Sequence, residues 1–130
     1  MNKPQIILGI NTNHADSSAC ILVNGKLIAA IEEERINRIK HFSGYPIASI
    51  RECLNIANLN DNQITDIAFN TKPLTNFIPK FLFFFKNLNF KKDSPINRLK
   101  KKINIKNFLF KSFQLDKNVK FHYIEHHLAH

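Results

Sequence analysis

Residues 18–31 read SACILVNGKLIAAI, two apolar runs on either side of the dipeptide Asn24-Gly25. This dipeptide between two apolar runs is the strongest short-range signal for a β-hairpin, because both central residues of the tight turn adopt positive φ angles. The stretch therefore predicts two antiparallel strands, residues 18–23 and 26–31.

The segments around this hairpin complete an α/β pattern. Further strands are predicted at three apolar runs, namely residues 5–10 (QIILGI), 64–70 (ITDIAFN) and 119–124 (VKFHYI). A helix is predicted from Pro46, because proline is tolerated at the first helical position and apolar residues then recur at helical spacing: Ile47, Ile50, Leu54 and Ala57. The order predicts a mixed five-stranded sheet with helices, a meander followed by parallel strands joined by helical crossovers. That is the order of the ribonuclease H-like half-domain of actin-like ATPases.

The composition is that of one globular domain of 130 residues with 44% hydrophobic residues. Its two cysteines, Cys20 and Cys53, lie in an apolar run and a helical pattern, so we expect buried thiols in a reducing compartment rather than a disulfide scaffold. The first residues lack a signal peptide's apolar core, and no stretch reaches a membrane-spanning length. We therefore expect a cytoplasmic protein that does not enter a membrane.

The net charge of +9 belongs to one segment of the chain. Residues 71–120 hold thirteen Lys and Arg against two acids, whereas residues 1–70 hold six against seven. A Phe-rich run at residues 81–85 lies in this segment, and aromatic residues among lysines can bind single-stranded nucleic acid or an anionic membrane. We favour the simpler interpretation, in which residues 71–118 form a basic helical segment that covers the sheet with lysines outward.

Two loops carry candidate anion-binding groups. The loop from Asn11 to Ser18 links two strands, and small polar residues there can offer backbone N–H groups to a phosphate, with His14 and Asp16 acting on the bound group. An ordinary polar turn is the alternative. Residues 32–41 (EEERINRIKH) combine three acids with four cations or histidines, which favours either a solvated, salt-bridged surface or a clamp for phosphate or carboxylate.

The chain's last residues, EHHLAH, contain a candidate metal site. His126 and His130 stand four residues apart, so on a helix both imidazoles would project from the same face. That spacing presents two nitrogen ligands to one metal, completed by carboxylates when the metal is iron or a similar ion. The alternative is a polar helix start with histidines facing solvent.

Taken in this order, HADSSA at residues 14–19, EEERINRIKH at residues 32–41 and HHLAH at residues 126–130 resemble the N-terminal part of the NodU/CmcH family of O-carbamoyltransferases. These enzymes tailor antibiotics and nodulation factors and are related to the tRNA threonylcarbamoyl-transfer proteins. The resemblance covers residues 5–70 and 119–130, while residues 71–118 match only in general character. The combination of the three motifs is far more specific than any one of them.

The resemblance implies a role for each candidate residue. His126 and His130 would ligate a divalent metal, commonly iron, and His14 would act near the carbamoyl group as a base for the acceptor hydroxyl. Asn11, Asp16, Lys40 and His41 would bind substrate, although Phe42 stands where the family usually has an acid. The implied reaction transfers a carbamoyl group from carbamoyl phosphate and ATP, by way of carbamoyl adenylate, to a hydroxyl acceptor.

The resemblance also implies that the chain is truncated. The remaining aspartate ligands, the second half-domain and the adenylate-forming domain would lie on missing C-terminal domains or on a second chain. Two other interpretations remain open: a split-gene remnant without activity, and a basic module that binds nucleic acid, which we consider unlikely.

Overall fold

The computed structural model describes residues 2–12, 15–70 and 95–124, with only the backbone described for residues 95–103. Its elements, in chain order, are β1 (Ile6–Asn11), β2 (Ser18–Val23), β3 (Lys26–Glu32), α1 (Glu33–Asn37), α2 (Ile47–Ile56), a 3₁₀ turn (Asp61–Gln63), β4 (Asp66–Phe69), α3 (Pro95–Ser112) and β5 (Lys120–Tyr123). In the described residues, no helix is long and apolar enough to cross a lipid bilayer.

The five strands form one mixed sheet in the order β3-β2-β1-β4-β5. The pairs β1–β2 and β2–β3 are antiparallel, whereas β1–β4 and β4–β5 are parallel. The predicted meander and the mixed five-stranded sheet are therefore confirmed. The parallel pairs bring the carboxyl ends of β1, β4 and β5 to one edge of the sheet, where α/β folds commonly bind ligands.

The hairpin between β2 and β3 turns at Asn24-Gly25, as predicted. Asn24 has φ 51° and Gly25 has φ 79°, and both positive angles belong to the turn that fits the twist of the flanking strands. In β3, Leu27 pairs with Leu22 and Ala29 pairs with Ile21, so Ile28 is an extra residue in a β-bulge.

The hydrophobic core lies between one face of the sheet and the helices α2 and α3. The helices contribute buried apolar side chains, namely Ile50, Cys53 and Leu54 from α2 and Ile105 and Leu109 from α3. The strands contribute every second residue to the same core, among them Ile6, Leu8, Ile10, Ala19, Ile21 and Ala29. Burial of each large aliphatic side chain is worth about 1.5–3 kcal/mol, so this face holds the sheet and helices together.

The structure corrects two local predictions. Residues 64–70 were predicted as one strand, but β4 is shorter, Asp66–Phe69, and it has Asp66, Ile67 and Phe69 all buried because it lies between β1 and β5. The charged run at residues 32–41 was expected to lie outside regular helix, yet Glu33–Asn37 forms one helical turn directly after β3. Helix α2 begins at Ile47, with Pro46 as the residue before it.

Candidate functional site

Three segments of the chain meet at the carboxyl ends of the parallel strands. They are the loop between β1 and β2, the loop between α1 and α2, and the residue that follows β4, Asn70. Because β1 and β4 are parallel neighbours, Asn11 at the end of β1 lies beside Asn70. The predicted substrate-binding residues Asn11, Asp16 and His41 come together here.

His41 and Asp16 form the centre of this cluster. The imidazole Nδ1 of His41 lies 3.1 Å from Oδ1 of Asp16, and the two side chains are 77% and 50% exposed. A hydrogen bond this exposed contributes little to folding stability, because water competes for both partners. Both side chains therefore face solvent rather than the core.

Asn11 ties the cluster to the sheet. Its amide Nδ2 donates to the backbone carbonyl of Asp16 at 3.0 Å, while its Oδ1 accepts a hydrogen bond from Nδ2 of Asn70. These two bonds use both ends of the Asn11 amide, and they fix its orientation between β4 and the loop. The position of the Asp16 backbone thus follows from the pairing of β1 with β4.

The carbonyl of Gly44 joins the two loops. The hydroxyls of Ser17 and Thr12 donate to it at 2.7 Å and 3.0 Å, and the backbone N–H of Ser17 donates to the carbonyl of Phe42 at 2.9 Å. Thr12 and Ser17 are both buried. These hydroxyls, which the sequence interpretation did not single out, hold the loop of His41 against the loop of Asp16.

Glu33 has a structural role that the charged run did not reveal. Its carboxylate is buried, and it accepts hydrogen bonds from the backbone N–H groups of Ala48 at 3.2 Å and Ser49 at 2.8 Å. These groups belong to the first turn of α2, whose N–H groups have no partner within the helix. Glu33 therefore caps α2 from outside the helix, and its own N–H donates to Ser17 at 2.8 Å.

The next acid, Glu34, supports the loop of His41 directly. Oε2 of Glu34 accepts a hydrogen bond from the backbone N–H of His41 at 3.2 Å, and its backbone carbonyl accepts one from Arg38. Lys40 is exposed on the same loop, next to His41. Within residues 32–41, Glu34 thus restrains the loop of His41, whereas Lys40 is an exposed cation on that loop.

Backbone conformations in these loops are unusual. Asp16, Arg38 and His41 have φ angles of 66°, 63° and 53°, in the left-handed region that side chains other than glycine rarely adopt. Residues held in such conformations cluster at ligand-binding sites, where the surrounding structure over-determines them. Here the N–H groups of Arg38 and His41 donate to Glu34, and the hydroxyl of Ser17, next to Asp16, donates to Gly44. These hydrogen bonds restrain the three conformations.

The predicted base and metal ligands lie outside the described residues. These are His14, His126 and His130, so their roles stay predictions. Within the part of the chain that the structure describes, no group of three or more His, Cys, Asp or Glu side chains is placed to hold a metal ion.

The mixed five-stranded sheet, with helices packed on it, defines an α/β domain whose polar cluster lies at the carboxyl ends of its parallel strands. The chain belongs to the carbamoyltransferase N-terminal family, since the family described as "Carbamoyltransferase N-terminus" matches residues 6–130.

Three proteins are similar to parts of this chain. An uncharacterized protein of Synechocystis sp. is 38% identical over 71 residues, which cover 55% of this chain and 12% of that protein. The nodulation protein NolNO of Sinorhizobium fredii is 44% identical over 59 residues, which cover 45% of this chain and 9% of that protein. An uncharacterized 19.2 kDa protein of Rhizobium etli is 50% identical over 46 residues, covering 35% of this chain and 27% of its own length. The chain thus matches a small part of each relative.

A solved structure shares the fold. The crystal structure of an uncharacterized Pseudomonas aeruginosa protein with similarity to peptidase YeaZ superposes with a TM-score of 0.51 at 15% sequence identity. The superposition covers 93% of this chain and 43% of that one. At this identity the comparison shows the fold alone.

Proposed function

We propose that this chain is the N-terminal part of an enzyme that transfers a carbamoyl group from carbamoyl adenylate to a hydroxyl of a small molecule or sugar. Carbamoyl adenylate would be formed from carbamoyl phosphate and ATP. Membership of the carbamoyltransferase family supports the transferase chemistry. The observation that carries the proposal is the cluster of Asn11, Asp16 and His41 at the carboxyl ends of β1 and β4. The sheet order, which is that of a ribonuclease H-like half-domain of actin-like ATPases, supports the use of a nucleotide.

The cluster can bind a substrate that carries both a phosphate group and a carbamoyl NH₂ group. Lys40 and His41 lie together on an exposed loop and can bind a phosphate group, because cationic side chains make short, charge-assisted hydrogen bonds to phosphate oxygens. Asp16 holds Nδ1 of His41, which leaves Nε2 directed away from that pair. Carboxylate and carbonyl oxygens of the neighbouring loop can accept hydrogen bonds from the carbamoyl NH₂ group.

The transfer step needs a base for the acceptor. The hydroxyl oxygen attacks the carbamoyl carbon, the bond from that carbon to the phosphate oxygen breaks, and AMP leaves with the electron pair. We propose that His14, which stands two residues before Asp16, accepts the proton of the attacking hydroxyl. His126 and His130 would hold a divalent metal, with iron the choice that suits two imidazoles joined by carboxylates from elsewhere. When bound, such a metal polarises the carbamoyl carbonyl as a Lewis acid.

The chain alone is expected to lack carbamoyltransferase activity. The proposed second half-domain, adenylate-forming domain and aspartate ligands would come from further polypeptide, and the matched stretches cover only 12% of the Synechocystis relative and 9% of NolNO. The assay incubates the purified chain with carbamoyl phosphate, ATP and hydroxyl acceptors, and we expect no carbamoylated product. Turnover that His126→Ala abolishes would show that the chain suffices.

Binding tests the site itself. We expect carbamoyl phosphate to bind the chain with an affinity that His41→Ala lowers at least tenfold, because one charge-assisted hydrogen bond is worth about 1.5–3 kcal/mol and 1.4 kcal/mol is about a factor of ten. Calorimetric titration measures the affinity, and Lys111→Ala, a change at an exposed cation of α3, is the matched control. Equal affinity in wild type, His41→Ala and Lys111→Ala would contradict the proposed site.

A further inference from the structure

Asn70, the residue that follows β4, uses only one end of its side-chain amide. Its Nδ2 donates a hydrogen bond to Oδ1 of Asn11, at the end of the neighbouring strand β1. Its own Oδ1 is buried and has no hydrogen-bond partner among the residues that the structure describes. A buried acceptor without a partner lowers stability, because it has lost its hydrogen bonds to water and gained none in return. Folding alone therefore does not explain an asparagine at this position.

The one hydrogen bond that Asn70 makes acts on the orientation of the Asn11 amide. The two ends of an amide have nearly the same shape, so packing alone does not select between orientations that differ by a half turn. In the observed orientation, Nδ2 of Asn11 donates to the backbone carbonyl of Asp16 at 3.0 Å. The reversed orientation sets Oδ1 of Asn11 against that carbonyl and its NH₂ group against the NH₂ group of Asn70. Asn70 therefore stabilises the orientation in which Asn11 holds Asp16.

Asp16 connects this restraint to the polar cluster of the candidate site. Its backbone has a φ angle of 66°, in the left-handed region, and its Oδ1 lies 3.1 Å from Nδ1 of His41. The side chains of Asp16 and His41 are half or more exposed, so packing gives them little support. The hydrogen bond from Asn11 acts directly on the Asp16 backbone, and the position of the carboxylate beside His41 depends on that backbone.

We propose that Asn70 is a positioning residue for the candidate site, acting through Asn11 on Asp16 and, through Asp16, on His41. The chain keeps an unpaired acceptor at Asn70 because the NH₂ group of the same amide orders the loop that carries Asp16. In the proposed complex the ligand contacts His41, and Asn70 does not touch it. The effect on ligand binding rests on the proposed function, whereas the effect on the loop rests on the hydrogen bonds alone.

The first test separates a role in the site from a role in folding. Leucine has nearly the shape of asparagine, and Asn70→Leu removes both the NH₂ donor and the unpaired oxygen. Asn11 is half-buried, so water can replace the lost donor. We therefore expect Asn70→Leu to unfold at the same urea concentration as wild type or at a higher one. Asn70→Ala, which introduces no larger group, is expected to affect the site in the same way.

Ser49 provides the matched control. Its buried Oγ also lacks a hydrogen-bond partner in the described part of the chain, but it lies in α2 and not in the polar cluster. Ser49→Ala removes this oxygen and keeps the backbone N–H that donates to Glu33. We expect Ser49→Ala, like Asn70→Leu, to leave the urea midpoint unchanged or to raise it, and to leave the candidate site as it is in wild type.

The second test needs no ligand. In the ¹H–¹⁵N spectrum of the free chain, we expect Asn70→Leu and Asn11→Ala to shift the backbone amides of Asp16 and His41 in the same directions. Both variants release the same hydrogen bond to the Asp16 carbonyl. Ser49→Ala should move these two amides less than either variant does.

The third test measures affinity by calorimetric titration with carbamoyl phosphate and with acetyl phosphate, which has a methyl group in place of the NH₂ group. We expect Asn70→Leu to lower the affinity for both compounds about two- to tenfold, the value of one ordinary hydrogen bond. The double variant Asn11→Ala/Asn70→Leu should bind no more weakly than Asn11→Ala, because Asn70 acts through Asn11. Ser49→Ala should change the affinity less than about twofold.

Four results would overturn the proposal. A lower urea midpoint for Asn70→Leu and Asn70→Ala would show that folding explains the residue, and unchanged amides of Asp16 and His41 would show that it does not order the loop. Additive losses of affinity in the double variant would show that Asn70 does not act through Asn11. A loss confined to carbamoyl phosphate would show that Asn70 contacts the NH₂ group itself. If wild type fails to bind carbamoyl phosphate while Asn70→Leu shifts the two amides, the proposed function fails and the positioning of the loop stands.

Discussion

Replacing Glu33 by alanine is expected to destabilise the chain more than any change at another acid of the run at residues 32–41. Its carboxylate accepts two backbone N–H groups at the start of α2, from Ser49 at 2.8 Å and Ala48 at 3.2 Å. We assign about 1.5 kcal/mol to the shorter charge-assisted bond and about 0.5–1 kcal/mol to the longer one. A negative charge at a helix N-terminus adds about 0.5–1 kcal/mol. The expected loss is therefore about 3 kcal/mol.

The assay is urea unfolding of the wild-type chain and three variants, followed by circular dichroism. Glu33→Ala should lower the unfolding free energy by about 3 kcal/mol, and Glu33→Gln, which keeps one acceptor oxygen, by about half as much. Glu52→Ala, at an exposed acid on the solvent side of α2, should change it by less than about 0.5 kcal/mol. The reasoning is refuted if Glu33→Ala and Glu52→Ala unfold at the same urea concentration.

Two further changes test contacts on the open face of the sheet. Gly9→Ala should destabilise the chain by about 1–3 kcal/mol because its Cβ meets Sγ of Cys20, and most of that loss should vanish in the double variant Gly9→Ala/Cys20→Ala. Additive losses in the unfolding free energies would show that the two residues do not collide. Since the pKa of Asp66 is lowered by the Thr65 hydroxyl and then by His122, the stability that Asp66 supplies is present above its unfolded pKa of about 3.9 and is lost as pH falls through the lower folded value. The difference in urea midpoint between wild type and Asp66→Asn should therefore be large near neutral pH and small once the pH has fallen below the folded pKa of Asp66. A difference that stays constant with pH would count against the shift.

The sheet was predictable from the sequence because its signals are local. Asn24 and Gly25 readily adopt the positive φ angles that a tight hairpin turn requires. The four-residue spacing of Ile50 and Leu54 indicates the buried face of α2. The bulge at Ile28 was not predictable, because an extra residue in one strand leaves no mark in a run of apolar residues.

The sequence predicted which residues belong to the candidate site, but it did not predict the hydrogen bonds between them. Asp16 and His41 stood out as polar groups near strand ends, and the structure places them 3.1 Å apart. Glu33 looked like one of three equivalent acids, because its partners are fifteen and sixteen residues away and become neighbours only after α2 packs. Ser17 likewise gains its partner, the carbonyl of Gly44, through tertiary packing.

The carbonyl of Gly44 accepts hydrogen bonds from two hydroxyls, and these bonds restrict the conformational freedom of the loop of His41. The buried hydroxyls of Thr12 and Ser17 hold this loop in the structure without any ligand. A ligand then meets a loop that is already ordered, which favours a small entropic penalty on binding. Amide hydrogen exchange at Ser17, whose buried N–H donates to the carbonyl of Phe42, should accordingly be slow in the free chain and change little when an anion binds.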